Sequence, residues 1–217
     1  WQARLMPVKV CDAQAACQYS AVINGIYFAA QNGAKIINLS MAGWEPFQGL
    51  QDAVRYATNT KGALVIVSAG NCASGGADCL SLNPPAYPAS YDETIAVAAV
   101  TRYDGWANYS EYQPYVDIAA PGGTTSSPIW SCDLNGSYYY RNGTSMSAAH
   151  VSGLASLIWA LNPGLTRAQV WEVIRDTAAK VGPYTYIGGR NNYMGYGRID
   201  VAAALRRVAP ALAVSPA

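Results

Sequence analysis

Charge is what this sequence has least of. Of its 217 residues, 14 are Lys or Arg and 13 are Asp or Glu, so 12% are charged and the formal net charge is +1. Without a basic or acidic block, nucleic acid and charged membrane surfaces are not expected partners. Long apolar runs are missing as well. The strictly aliphatic stretches are short, such as Ala63-Leu64-Val65-Ile66-Val67 and Ile95–Val100, against the ~20 apolar residues that a membrane span needs. Histidine is confined to His150, and neither close cysteine pair has zinc-knuckle spacing, which argues against a zinc site. No Met opens the chain. Trp1-Gln2-Ala3 leads almost at once into Leu5–Val10, which reads as a strand, so further sequence is expected upstream.

What is present is a core. Hydrophobic residues make up 51% of the chain, which argues against disorder and for one compact domain. Cys11 and Cys17 flank a short Ala-rich stretch, and Cys72 and Cys79 a Gly-rich one. Both spacings suit loop-closing disulfides of an oxidising compartment, with Cys132 left over; the competing reading keeps all five thiols reduced and buried.

Elements alternate along the chain. Tyr19–Gln31 reads as a helix ended by Asn32-Gly33. Further helices are expected over Leu50–Thr60, Ser145–Leu161, Thr166–Ala178 and Ile199–Val208, the third of these opened by a Thr166-x-x-Gln169 capping box. Apolar strands are expected over Lys35–Leu39, Ala63–Ser68, Thr94–Val100 and Val116–Ala119, and a hairpin or loop over Trp130–Tyr140. This alternation predicts an α/β fold of three layers, a mainly parallel sheet covered by helices on both faces. The domain is expected to occupy residues 1–209, with 210–217 a Pro- and Ala-rich tail.

The strongest chemical signal is Asn142-Gly143-Thr144-Ser145-Met146-Ser147-Ala148-Ala149-His150-Val151-Ser152-Gly153. A Gly-Thr turn delivers Ser145 to the first turn of an apolar, small-residue helix, where free N–H groups and the positive end of the dipole face whatever it attacks. A plain N-cap serine is the inert alternative.

This segment resembles the nucleophile motif of the subtilisin-like serine peptidases, the subtilases. Val8-Lys9-Val10, Gln18-Tyr19-Ser20, Asn24-Gly25-Ile26, Ile36–Gly43, Val67–Asn71, Tyr87-Pro88-Ala89 and Ala120-Pro121-Gly122 follow in the family's order, so the resemblance covers nearly the whole chain. It implies a serine endopeptidase that works through an acyl-enzyme on Ser145, with the Asn71 amide and the Ser145 N–H stabilising the oxyanion. It also implies a cleft that takes an extended polypeptide as an added strand. Ser40, Met41, Ala42 and Gly43 would form one side and Val67, Ser68, Ala69 and Gly70 the S1 wall, with Ala15, Ala16 and Cys17 along the other edge. A structural calcium or sodium ion would be held by Ala89, Tyr91, Thr94 and Asp117, although Tyr115 stands where a second acidic ligand is usual. The family's enzymes are secreted, and the complete protein is expected to be a monomer.

The chain departs from the pattern at Ala42 and Cys17, each in place of a usual Gly, and at Ala149, in place of a proline. The larger departure concerns the base. A serine hydroxyl is a weak nucleophile without one, and the family's Asp and His lie upstream of every motif present here. His150 does not serve, because five residues of helix place it about 140° around from Ser145; it resembles the family's packed, hydrogen-bonded structural histidine. The triad Asp and His are therefore expected from a missing N-terminal segment, and the chain alone is expected to be inactive. The alternative is a subtilase-like pseudopeptidase that binds extended peptides, which would require neither Ser145 nor Asn71. An α/β-hydrolase esterase would need Gly-x-Ser-x-Gly, and the last position here is Ser147.

Overall fold

The structure is a computed structural model that describes residues 3–14, 16–76 and 79–209. Its centre is a four-stranded parallel sheet in the order β1 (Ile36–Leu39), β2 (Leu64–Ser68), β3 (Ile95–Val100) and β4 (Val116–Pro121). Parallel strands lie buried on both faces, which is why their sequences are continuous apolar runs. All of β2 and β3 is buried. The pleat then divides successive residues between two cores. Val65 and Val67 face one core with Val22 and Ile26 of α1 (Tyr19–Gln31) and Leu50 and Val54 of α2 (Gln48–Arg55). Leu64 and Ile66 face the other, with Val151, Leu154 and Ile158 of α3 (Thr144–Leu161), Val170 and Ile174 of α4 (Arg167–Asp176) and Ala204 of α5 (Val201–Val208). This is the three-layer arrangement that the alternation predicts.

The expected elements are largely present. The Trp130–Tyr140 region is an antiparallel hairpin of β5 (Ile129–Cys132) and β6 (Tyr138–Arg141). The capping box of α4 is complete, with Thr166 Oγ1 accepting Gln169 N–H and Gln169 Oε1 accepting Thr166 N–H. Both disulfides, Cys11–Cys17 and Cys72–Cys79, are formed, and Cys132 is free and exposed.

Four expectations are corrected. Leu5–Val10 joins no ladder among the described residues: β1, at the edge of the sheet, pairs with β2 alone, and the segment is held instead through Val8 and Val10 packed on the α1 core. The second helix begins at Gln48 and ends in a π-helical turn, Tyr56–Thr60, whose Thr58 Oγ1 donates back to Val54 O at 2.9 Å. Asp200 caps the last helix through Ala203 N–H, so Ile199 stays outside it and donates to Ala119 O of β4 at 2.9 Å. His150 is exposed rather than packed, because no element covers its side of α3; it keeps the expected hydrogen bond, Nδ1 donating to Met146 O at 2.8 Å. The tail at 210–217 lies outside the described residues.

Candidate active site

Ser145 occupies the first turn of α3, directly behind an N-cap, Gly143, with φ +148°. An L side chain is strained there, so glycine is the residue that this turn admits. The Gly143 N–H donates to Gly122 O at 2.9 Å, which ties the turn to the end of β4. The Ser145 N–H, as a first-turn amide, has no intrahelical acceptor and points with the positive end of the helix dipole.

Asn71 lies just beyond β2, and Thr144 joins it to the serine. The Thr144 N–H and hydroxyl both donate to Asn71 Oδ1, each at 2.9 Å. Two donors on one oxygen fix the orientation of the amide. The Asn71 Nδ2 is thereby turned away from Thr144 and finds no acceptor among the described residues, while Gly70 N–H donates to Thr144 Oγ1 at 3.3 Å. A neutral amide N–H and a helix N-terminal N–H are thus presented from two elements beside one hydroxyl.

The hydroxyl has no base next to it among the described residues. Ser145 Oγ donates to the carbonyl of Ser40 at 3.3 Å, and Ser40 Oγ donates to the Ser145 carbonyl at 2.9 Å. Asn38 Nδ2 donates to Ser40 Oγ at 2.9 Å, and Ser152 Oγ donates to Asn38 Oδ1, also at 2.9 Å. This chain of polar contacts fixes the segment after β1 against α3.

The structure brings the two expected cleft walls together. Ser68 Oγ donates to Met41 O at 3.3 Å, and Gly43 exchanges two 2.8 Å backbone hydrogen bonds with Tyr87, whose bond to Pro88 is cis. Ser40, bonded to Ser145, and Ala42 are exposed, whereas Val67, Ser68 and Ala69 are buried. The Val67 and Ala69 side chains are core, so these residues offer a ligand backbone rather than side-chain surface. The third group belongs to a disulfide loop. Cys17 packs on the α1 core, and Ala16 O accepts Asp12 N–H within its own disulfide loop; Ala15 lies outside the described residues.

One residue beneath the site escaped the sequence reading. Glu111 is 0% exposed, and burial pushes its carboxyl up to about 7 against the pull of Tyr115 and the Cys72 N–H. It fills the space behind Gly70, where a Cβ would overlap it and where φ is +114°. An acidic residue in a Tyr-rich loop reads as surface, and no spacing marks it otherwise.

Three of the four residues expected to hold a cation, Tyr91, Thr94 and Asp117, line a cavity of about 160 Å³ together with Arg190, while Ala89 is not in its wall. Burial raises Asp117 to about 6, opposed by the Ala96 N–H and Arg190. The carbonyl oxygens of Ala89 and Tyr91 converge on Thr94 Oγ1 at 3.2 and 2.9 Å. The oxygen donors are thus Asp117 and the two carbonyls, with the Arg190 guanidinium opposing a cation from the same wall.

Comparison with known proteins agrees with this geometry. The model of the subtilase family, peptidase S8, matches residues 1–197. Thermitase of Thermoactinomyces vulgaris is 36% identical over 205 residues, which are 94% of this chain and 66% of that protein. Subtilisin E of Bacillus subtilis is 38% identical over 202 residues, 93% of this chain and 49% of that protein. The chain thus spans about half to two thirds of the length of these relatives. Among solved structures, MycP1 with its N-terminal propeptide removed superposes with a TM-score of 0.73 at 34% identity, covering 86% of this chain and 66% of that one. A protease of Pseudoalteromonas arctica gives 0.75 at 28% identity, covering 90% of this chain and 60% of that one. A family match across the sheet, the Asn71–Thr144 clamp and the α3 turn together make this chain a member of the subtilase family.

Proposed function

We propose that this chain is the nucleophile-bearing and substrate-binding part of a secreted serine endopeptidase. The observation that carries the reading is the clamp of Thr144 on Asn71 Oδ1, which leaves Nδ2 and the Ser145 N–H as paired donors beside the serine hydroxyl. Ser145 Oγ attacks the scissile carbonyl, its proton passes to a base, and the developing oxyanion is received by the two N–H groups. The tetrahedral intermediate then expels the amine, which takes the proton, and leaves an acyl group on Ser145. The backbone of Ser40–Gly43 and Val67–Gly70 is suited to an extended peptide.

The base and its orienting carboxylate are inferred to lie outside these 217 residues, because the one histidine is exposed and bonded to Met146 O. The two disulfides support an oxidising compartment. A fluorophosphonate probe tests the reading. The complete protein is expected to label at Ser145, and the 217-residue chain alone is not. Asn71→Ala in the complete protein is expected to lower kcat with little change in KM. Its size should be about 10²–10³, a value carried over from the corresponding amide of a subtilisin. Labelling of the isolated chain at the rate of the complete protein would sink the claim of an external base.

A further inference from the structure

The segment Ala69-Gly70-Asn71-Cys72 rests on a carboxyl that the proposed chemistry does not use. Glu111 N–H donates to Gly70 O at 3.1 Å, and Glu111 Oε1 accepts Cys72 N–H at 3.3 Å. Its Oε2 lies 2.7 Å from the hydroxyl of Tyr115. That hydroxyl accepts Ala86 N–H at 3.2 Å and also lies 3.0 Å from Ala69 O. The pair therefore touches the backbone on both sides of Asn71.

The arrangement has one proton too few for all its acceptors. A phenol carries a single proton, and here both Glu111 Oε2 and Ala69 O are placed to receive it. An ionised Glu111 is the stronger acceptor and takes it, leaving Ala69 O without a side-chain donor. A protonated Glu111 instead donates to the Tyr115 oxygen, and the phenol proton turns to Ala69 O, so that every group is satisfied.

We propose that Glu111 is a positioning residue for the oxyanion segment, holding the Ala69 carbonyl through Tyr115 while protonated and releasing it on ionisation. This rests on the reading of Asn71 as the oxyanion donor. Burial places the transition within the working range, at about 7. The groups that face the carboxyl are the Tyr115 hydroxyl, the Cys72 N–H and the Gly70 backbone. Burial and Glu111 hold the Tyr115 hydroxyl protonated well above its ordinary value. Among the described residues no cationic side chain pairs with Glu111. The proton on Glu111 thus sets the direction of the whole chain.

The test uses the complete protein and a chromogenic peptide substrate between about pH 5.5 and 9, the range that brackets the shifted carboxyl. In Glu111→Gln the amide donates permanently to Tyr115 and its oxygen still accepts Cys72 N–H, which imitates the protonated acid. The ratio of its kcat to that of the wild type is expected near one at low pH and to rise roughly fivefold through pH 7, the worth of about one hydrogen bond. KM should move less. Taking the ratio cancels the titration of the base. Tyr115→Phe removes the relay and should lower kcat roughly fivefold against the wild type at low pH, again one hydrogen bond, with the deficit closing above about pH 7, where the wild type has itself released Ala69. A flat Glu111→Gln ratio, or a Tyr115→Phe variant equal to the wild type below pH 7, overturns the proposal. Carbon-13 NMR of the Glu111 carboxyl and the Ala69 carbonyl provides a readout that needs neither variant nor activity. Joint titration near pH 7 supports the switch, and a carboxyl that titrates in the ordinary range, or an Ala69 signal that does not follow, refutes it. If no form shows peptidase activity, the proposed function fails while this titration still decides the switch.

Discussion

At Glu111 the cost of burying an acid is visible as proton affinity. Its carboxyl is raised from 4.5 to about 7 because water is excluded, so the folded state binds the proton more tightly than the unfolded chain. The sign follows from linkage. Between these two values the native state holds more protons, and stability falls as pH rises. The contribution is fully present below about 4.5 and gone above about 7, and its size is on the order of 3 kcal/mol. Urea unfolding of the wild type across this window should show that decline, whereas Glu111→Gln, which has no proton to lose, should show a correspondingly smaller one. Parallel slopes for the two proteins would mean that the buried carboxyl does not carry the linkage. Asp117, raised to about 6, shifts stability in the same direction in both proteins and so drops out of the comparison.

Elements were the legible level, and the reason is periodicity. Tyr19–Gln31 runs between the same residues in the sequence reading and in the structure, because its apolar side and its Asn32-Gly33 ending are both local signals. The α4 capping box was readable for the same reason, since Thr166 and Gln169 need only each other. Losing it has a local cost. Thr166→Ala is expected to destabilise the protein by about 1 kcal/mol. Thermal unfolding should report this as a lowered Tm, with unchanged peptide affinity because α4 lies on the sheet face away from α1 and α2. A Tm equal to that of the wild type would mean that the hydrogen bonds of Thr166 add nothing. What the sequence hid depends on partners far along the chain. Leu5–Val10 has the composition of a strand, yet it packs on α1 through Val8 and Val10 and joins no ladder among the described residues. The site shows the same division. Ser145 and Asn71 announce themselves by motif. The sequence does not reveal that Thr144 reaches 73 positions back to fix the Asn71 amide. Nor does it reveal that a glutamate 39 positions beyond Cys72 accepts its N–H, since long-range polar contacts carry no period.

Across the whole molecule, the site is made where elements of both sheet faces meet. Ser145 comes from α3, whose apolar side faces α4 and α5 across Leu64 and Ile66, while Asn71 follows β2, whose Val65 and Val67 face α1 and α2. Anything that loosens the end of β2 therefore separates donor from nucleophile, even when the cores stay intact. The two disulfides allow this to be tested against a built-in control. They close loops of nearly equal length, with sequence separations of 6 for Cys11–Cys17 and 7 for Cys72–Cys79. Loop-closure entropy then predicts nearly equal stabilisation, about 2 kcal/mol each. Their surroundings differ. Cys17 packs on the α1 core, whereas Cys72 adjoins Asn71 and donates its N–H to Glu111. In the complete protein, the double replacements Cys11→Ser with Cys17→Ser and Cys72→Ser with Cys79→Ser should therefore lower the urea midpoint by similar amounts. Only the second pair should also lower kcat, and its loss should be larger above pH 7, where ionised Glu111 no longer holds Ala69. Equal kcat losses for the two pairs would place the disulfide effect in global stability rather than in the geometry behind Asn71.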